Sequence, residues 1–237
     1  MTSTHPYWLI FVAGIVALIP VIIGVATSYI KISVVLGMFR TGLGAQQVPS
    51  QLVIMALSLS MTLFIMAPVF EQSVDAAQGI DLAMIAEEPS VAKLSALKPL
   101  LTPWRDFMLT HVGEREYRVL EQMVLEMRVT AATQKQLSAQ TASESLQEYG
   151  PHAPSLRVLL PAFIITELKE AFAMGFVLLL PFLAIDLIVS NVLMGLGMFM
   201  VSPMMISLPL KLIVFVWADG WLLLTQGLVK SYHVGVS

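Results

Sequence analysis

The sequence predicts an all-α membrane protein in which a polar, mainly helical insert separates two apolar zones. Composition and the distribution of charge carry that prediction. Of 237 residues, 57% are hydrophobic and only 12% are charged, and the mean hydropathy is +0.81. A soluble domain carries about 25% charged residues. The charges are also clustered, since 20 of the 29 Asp, Glu, Lys and Arg residues fall within 71–157. The chain therefore divides into an apolar front (1–70), a polar insert (71–157) and an apolar back (158–237).

The front zone has no charge in 1–30 and none in 41–70. The run 7–30 is long enough to cross about 30 Å of hydrocarbon as a helix, and 52–70 is a second candidate span. A cleaved secretory signal would need a positive segment ahead of the apolar run. Residues 1–6 carry no Lys or Arg and the run is too long, so a retained span is expected. Between the spans, 28–50 holds Lys31, Arg40, Gly42, Gly44, Gln46, Gln47 and Pro49, which reads as a connector broken by glycine and proline. Its two basic residues place it in the cytoplasm, with the insert facing outward.

In the insert, Val119, Leu120, Met123, Val124 and Met127 recur at helical spacing over 114–128. Glu114 and Arg118 add an i,i+4 pair. A further helix is expected over 71–86, and another starting near Trp104 after Pro103. Residues 138–154, rich in Ser, Ala, Gln and Thr and ending in prolines, read as a return linker.

The back zone is apolar but contains Glu167, Lys169, Glu170, Asp186, Lys211 and Asp219. Prolines at 161, 181, 203 and 209 cut its runs, so two spans and three remain open. A lone ionisable group at mid-bilayer costs roughly 2.5–3.5 kcal/mol on insertion scales, so these residues must face protein, water or one another. On a helix, Glu167 and Glu170 share a stripe, whereas Lys169 points away from both. That geometry favours a partner for Lys169 on a neighbouring subunit. The buried ions have two readings, polar glue between packed helices and an ion path.

Five of the 15 methionines lie within 12 residues: Met194, Met198, Met200, Met204 and Met205. With Gly195, Gly197 and Pro203 among them, this stretch predicts a bent or re-entrant segment. Such backbone is tolerated at membrane depth only where protein buries it or a cavity adjoins it. Unbranched thioethers suit a surface that repacks around varied partners, and they equally suit an ordinary core.

Several chemistries are excluded. The net charge of −3 and the lack of any Lys/Arg-rich run leave no nucleic-acid footprint. The absence of cysteine removes disulfides, thiolate metal sites and cysteine nucleophiles. His5, His111, His152 and His233 are scattered, without metal-ligand spacing. There is no phosphate-binding loop and no nucleophile elbow. Neither an enzyme, nor a cofactor, nor a metal site is expected.

Several blocks in order resemble the FliP/SctR family of the type III protein export apparatus. They are Arg40-Thr-Gly-Leu43-Gly44-Ala-Gln46-Gln47-Val-Pro49, Leu63-Phe-Ile-Met-Ala-Pro-Val69 and Phe163-Ile-Ile-Thr-Glu167-Leu-Lys169-Glu170-Ala-Phe172. Leu180-Pro-Phe-Leu-Ala-Ile-Asp186, Leu196-Gly-Met-Phe-Met200-Val-Ser-Pro203, Ile206-Ser-Leu-Pro209-Leu-Lys211 and Asp219-Gly-Trp221 follow. Thr166 stands where the family usually has Ser, Phe199 interrupts its Met run, and Gly195 replaces an expected Ala. The resemblance implies bent hydrophobic hairpins, a homopentamer, and companion subunits of the FliQ/SctS and FliR/SctT types. Together these surround the channel for unfolded export substrates in the bacterial inner membrane, with part of the assembly on the periplasmic side. It also implies that the loop at about 195–205 is a gasket, falling on Met198, Phe199 and Met200, with Met204 and Met205 beside them. The form of Gln46 to Pro49 suits the injectisome branch. A subunit of a proton-coupled small-molecule transporter is the alternative, motivated by the buried ions.

Overall fold

The computed structural model describes residues 17, 24–44, 49–78, 98–136 and 155–233, without the side chains of 98, 128–136 and 233. All regular structure among them is helical. A helical end at 24–26 turns at Thr27 and Ser28 into α1 (Tyr29–Leu43). Most of the expected first span lies outside the described residues, and its final residues already belong to α1.

The expected connector is thus largely a helix of 15 residues that ends at Gly44, and 45–48 lie outside the described residues. The two glycines explain the difference. Gly42 stays helical because it lets α1 close on its neighbour; a Cβ there would collide with the Leu179 and Phe182 side chains. Gly44 ends the helix in the left-handed region at φ 75°, donating its N–H to the Thr41 carbonyl at 3.1 Å. Glycine adopts that conformation without the steric cost other residues bear.

α2 (Gln51–Ala77) starts at Ser50, whose hydroxyl accepts the Val53 N–H at 3.4 Å. Residues 71–77 continue α2 rather than open a helix of their own, and 79–86 lie outside the described residues. In the insert, α3 (Lys98–His111) begins earlier than expected, with Pro103 in its second turn, and α4 (Glu114–Gln136) extends the amphipathic helix expected over 114–128. The return linker lies outside the described residues.

α5 (Leu156–Gly195) runs 40 residues without a break through Pro161 and Pro181. α6 (Pro203–Trp217) contains Pro209, and α7 (Gly220–His233) follows after a 65° bend. Of the four prolines expected to cut this zone, only Pro203 marks a boundary, at the first helical position where its missing N–H costs nothing. The others each forfeit one backbone bond, and the helices run on through them, with Pro181 and Pro209 at exposed positions. α2 and α5 are each long and apolar enough to span a membrane, and the bent α6–α7 pair adds a third candidate.

α1 and α5 run parallel: Lys31 meets Glu167 and Glu170, and Phe39 meets Phe182. Their close approach falls at Gly175, where a Cβ would lie 3.1 Å from the Cβ of Met38. α6 and α7 return antiparallel to α5, bringing Lys211 to Asp186 and Tyr232 to Glu167. Ile32, Val35, Leu36, Phe39, Leu159 and Phe163 fill the shared core. α3 and α4 dock at the Tyr232 end. There the Gly113 N–H bonds Thr166 Oγ1 at 2.9 Å, a ring nitrogen of His111 lies 3.1 Å from the Tyr232 carbonyl, and Phe107 packs edge-on against Phe163. α3 and α4 thus pack at the opposite end of α1 from Gly44 and the Met-rich turn.

Candidate functional site

The Met-rich segment is a tight turn between α5 and α6. Gly197 takes φ 73°, its N–H bonds the Met194 carbonyl at 3.0 Å, and the Met198 N–H bonds the Leu193 carbonyl at 2.9 Å. This is the Schellman pattern, which satisfies the last carbonyls of a helix and requires a left-handed residue. On the far side, the Met205 N–H bonds the Ser202 carbonyl at 3.2 Å, and Pro203 opens α6. The backbone is pinned at both feet, so its adaptability resides in the side chains. Met200 is 101% exposed and Phe199 79%, while Met198, Met204 and Met205 are also exposed.

Two charged anchors hold the helices that carry this turn. At the insert end, Lys31 and Glu167 are both buried. Lys31 Nζ lies 3.1 Å from Glu167 Oε1 and 2.6 Å from Glu170 Oε2, and 4.1 Å above the Tyr232 ring. The Tyr232 hydroxyl donates to Glu167. The common stripe of Glu167 and Glu170 is therefore realised on one ammonium. Lys31 belongs to this buried anchor and not to a solvated connector, so Arg40 is left as the connector's other basic residue; its guanidinium bonds Gln51 Oε1 at 2.9 Å. Gln46 and Gln47 lie outside the described residues.

Lys169 points away from that anchor, as its helical position requires, but its partner is within the chain. Its ammonium donates to Glu116 Oε1 of α4 at 2.7 Å. That bond is the first cause holding the Glu116 carboxyl below the usual carboxylate range. An inter-subunit partner is not needed to satisfy Lys169. Burial pushes the neighbouring Tyr117 hydroxyl up.

At the turn end, the second anchor joins three helices. Lys211 is buried and donates to Asp186 Oδ2 at 2.7 Å and to the Gly42 carbonyl at 2.9 Å. Phe39, Phe182, Phe215 and Trp221 pack on one another across the same helices and α7, with the Phe39 and Phe215 rings 4.6 Å apart. Asp219 is exposed, not buried: it occupies the α6–α7 bend at φ 49° and caps α7 through its carbonyl, which accepts the Leu222 N–H at 2.9 Å. Sequence reasoning did not find Tyr232, Glu116 or Gly42 as partners. Each pairs across 53 or more residues, and a single sequence carries no local signal for that.

Residues 12–228 match the FliP family. The chain belongs to that family. It is 38% identical to Yop proteins translocation protein R of Yersinia pestis over 228 residues, which cover 94% of this chain and 95% of the relative. It is 40% identical to the flagellar biosynthetic protein FliP of Caulobacter vibrioides over 221 residues, 93% of this chain and 74% of the relative. It is 37% identical to the hypersensitivity response secretion protein HrcR of Ralstonia nicotianae over 229 residues, 95% and 96% of the two chains. The family comprises non-enzymatic membrane components of the type III export apparatus, and these relatives come from both its flagellar and its secretion branches. In this FliP-family chain, the matched region includes the turn and the whole Lys211 anchor. It stops four residues short of Tyr232.

Proposed function

We propose that five copies of this chain ring a conduit for unfolded polypeptides in the bacterial inner membrane, and that Met198, Phe199 and Met200 form its gasket. The supporting observation is the turn itself. Three large, soft, apolar side chains project from a backbone fixed on both sides, and they lie open in the single chain. A narrow apolar ring excludes water and ions by dewetting. Thioethers can swing aside for a passing chain and repack around it. Met204 and Met205 flank the collar at the start of α6.

The companions are subunits of the FliQ/SctS and FliR/SctT types, packed on the apolar faces of α2, α5 and α6. The turn end faces the cytoplasm with Arg40, and the insert, docked at the far end of α1, faces the periplasm. The Gln46-Gln47-Val48-Pro49 form supports the injectisome branch. The lysines that motivate a small-molecule transporter are each bonded to carboxylates within the chain, which favours helix packing over a solute path.

The test replaces Met198, Phe199 and Met200 together by alanine in the assembled complex. Native mass measurement should still find five copies, and membrane conductance to small ions should rise. Unchanged conductance in intact pentamers would overturn the gasket; a stable monomer would overturn the ring.

A further inference from the structure

We infer that Lys211 is a positioning residue that latches the foot of the Met-rich turn to the C-terminal end of α1. The inference rests on the gasket reading for its consequence, but its geometry stands independently. A helix leaves its last four carbonyls without intrahelical partners, and a cation there is favoured. Lys211, 3% exposed, supplies one: its ammonium bonds the Gly42 carbonyl at 2.9 Å, in the last turn of α1. The same ammonium bonds Asp186 of α5 at 2.7 Å. One side chain of α6 therefore ties two other helices.

Met204, Ser207, Lys211 and Phe215 recur at helical spacing on α6, so all four share one face. Ser207, Lys211 and Phe215 are buried there. A Cβ on Gly44 would lie 3.0 Å from the Met204 methyl and 3.8 Å from Lys211 Nζ. The face therefore seats on the Gly42-Leu43-Gly44 end of α1. Residues 45–50 follow directly from that end, and the Met-rich turn adjoins Met204 directly. Asp186 has a separate part, neutralising the buried ammonium so that it can be held at a neutral carbonyl.

The test uses the assembled complex. Lys211→Met alone strands Asp186 and can fail to fold. The decisive variant is Lys211→Met with Asp186→Leu, which removes the buried ammonium together with its half-exposed partner, so that no charge is left unpaired. The cysteine-free chain allows spin labels at Thr41→Cys and Ser202→Cys, both exposed, diluted with unlabelled copies to isolate distances within one chain. The expected result is a narrow 41–202 distance distribution with Lys211 present, and a broad one in the double variant, whose pentamers stay intact. Ion conductance of the unlabelled double variant should rise several-fold. An unchanged distribution in intact pentamers would overturn the latch. A broadened distribution with unchanged conductance would support the latch and overturn the gasket, so the two failures are distinguishable.

Discussion

Lys31 sets one buried ammonium against two carboxylates, Glu167 in the interior and Glu170 half-exposed at its edge. Its side chain is 1% exposed and that of Glu167 is 0%. Burying each ion costs several kcal/mol even after the protein relaxes, and only good partners offset that. Glu170, the Tyr232 ring face and the Tyr232 hydroxyl are those partners. Glu167 Oε1 has no aligned hydrogen-bond donor, so the ammonium 3.1 Å away is its charge partner. Lys31→Met should therefore destabilise the protein by about 3–5 kcal/mol, because it strands buried charge. Tyr232→Phe keeps the ring beneath the ammonium and loses one hydrogen bond to a charged group, about 1.5–3 kcal/mol. Thermal unfolding of both variants in detergent checks the order. A Tyr232→Phe loss as large as that of Lys31→Met would mean that the hydroxyl, not the ammonium, organises this anchor.

Among the elements, α4 offers a contact that acid should release. Its Glu116 carboxyl is held below the usual carboxylate range chiefly by the hydrogen bond from Lys169 on α5. A carboxyl lowered in the folded state stabilises it above the unfolded value, about 4.3, and that contribution disappears as pH falls through the lower folded value. Docking of α4 should thus be constant from pH 7 to 5 and loosen below about 4. Hydrogen-exchange protection of the α4 amides, corrected for intrinsic rates, should show this step, and Glu116→Gln should abolish it. A step that persists in Glu116→Gln would assign it to another group.

The same elements mark how far the sequence could be read. The α4 stripe of Val119, Leu120, Met123, Val124 and Met127 is local periodicity, and it yields the helix directly. The break after α5 is legible for a similar reason, since Gly197 and Pro203 bracket it. Pro161, Pro181 and Pro209 mislead because a proline removes only one backbone bond, a loss that long apolar helices tolerate. Gly42 and Gly44 are the same letter two positions apart. One admits a neighbouring helix and the other ends its own, and only the tertiary surroundings separate those roles. The Lys31 anchor spans 136–139 residues and the Lys211–Gly42 bond 169, distances at which no spacing rule operates.

For the molecule as a whole, the decisive quantity is apolar surface that the chain does not cover. Only 17% of the most apolar stretch of α5 is buried, against 39% for α2. Phe172, Phe176, Leu187, Val192 and Met194 lie open along α5, and the Met-rich tip continues that surface. At 1.5 Å per residue a helix of 40 residues is about 60 Å long, roughly twice the thickness of the hydrocarbon core. Lipid can cover half of that length, so the remainder requires protein. If sister copies supply it and the tips meet at one axis, Met200→Cys should form disulfide-linked dimers in the assembled complex on mild oxidation. The bond needs Cα atoms about 4.4–6.8 Å apart, a separation that only converging turns reach. No other cysteine competes, because the chain has none. The same variant dispersed to monomers should remain unlinked. Assembled Met200→Cys complexes that yield no dimer, while the introduced thiol reacts with a lipid-soluble maleimide, would put the turns on the outer, lipid-facing side and remove the collar altogether.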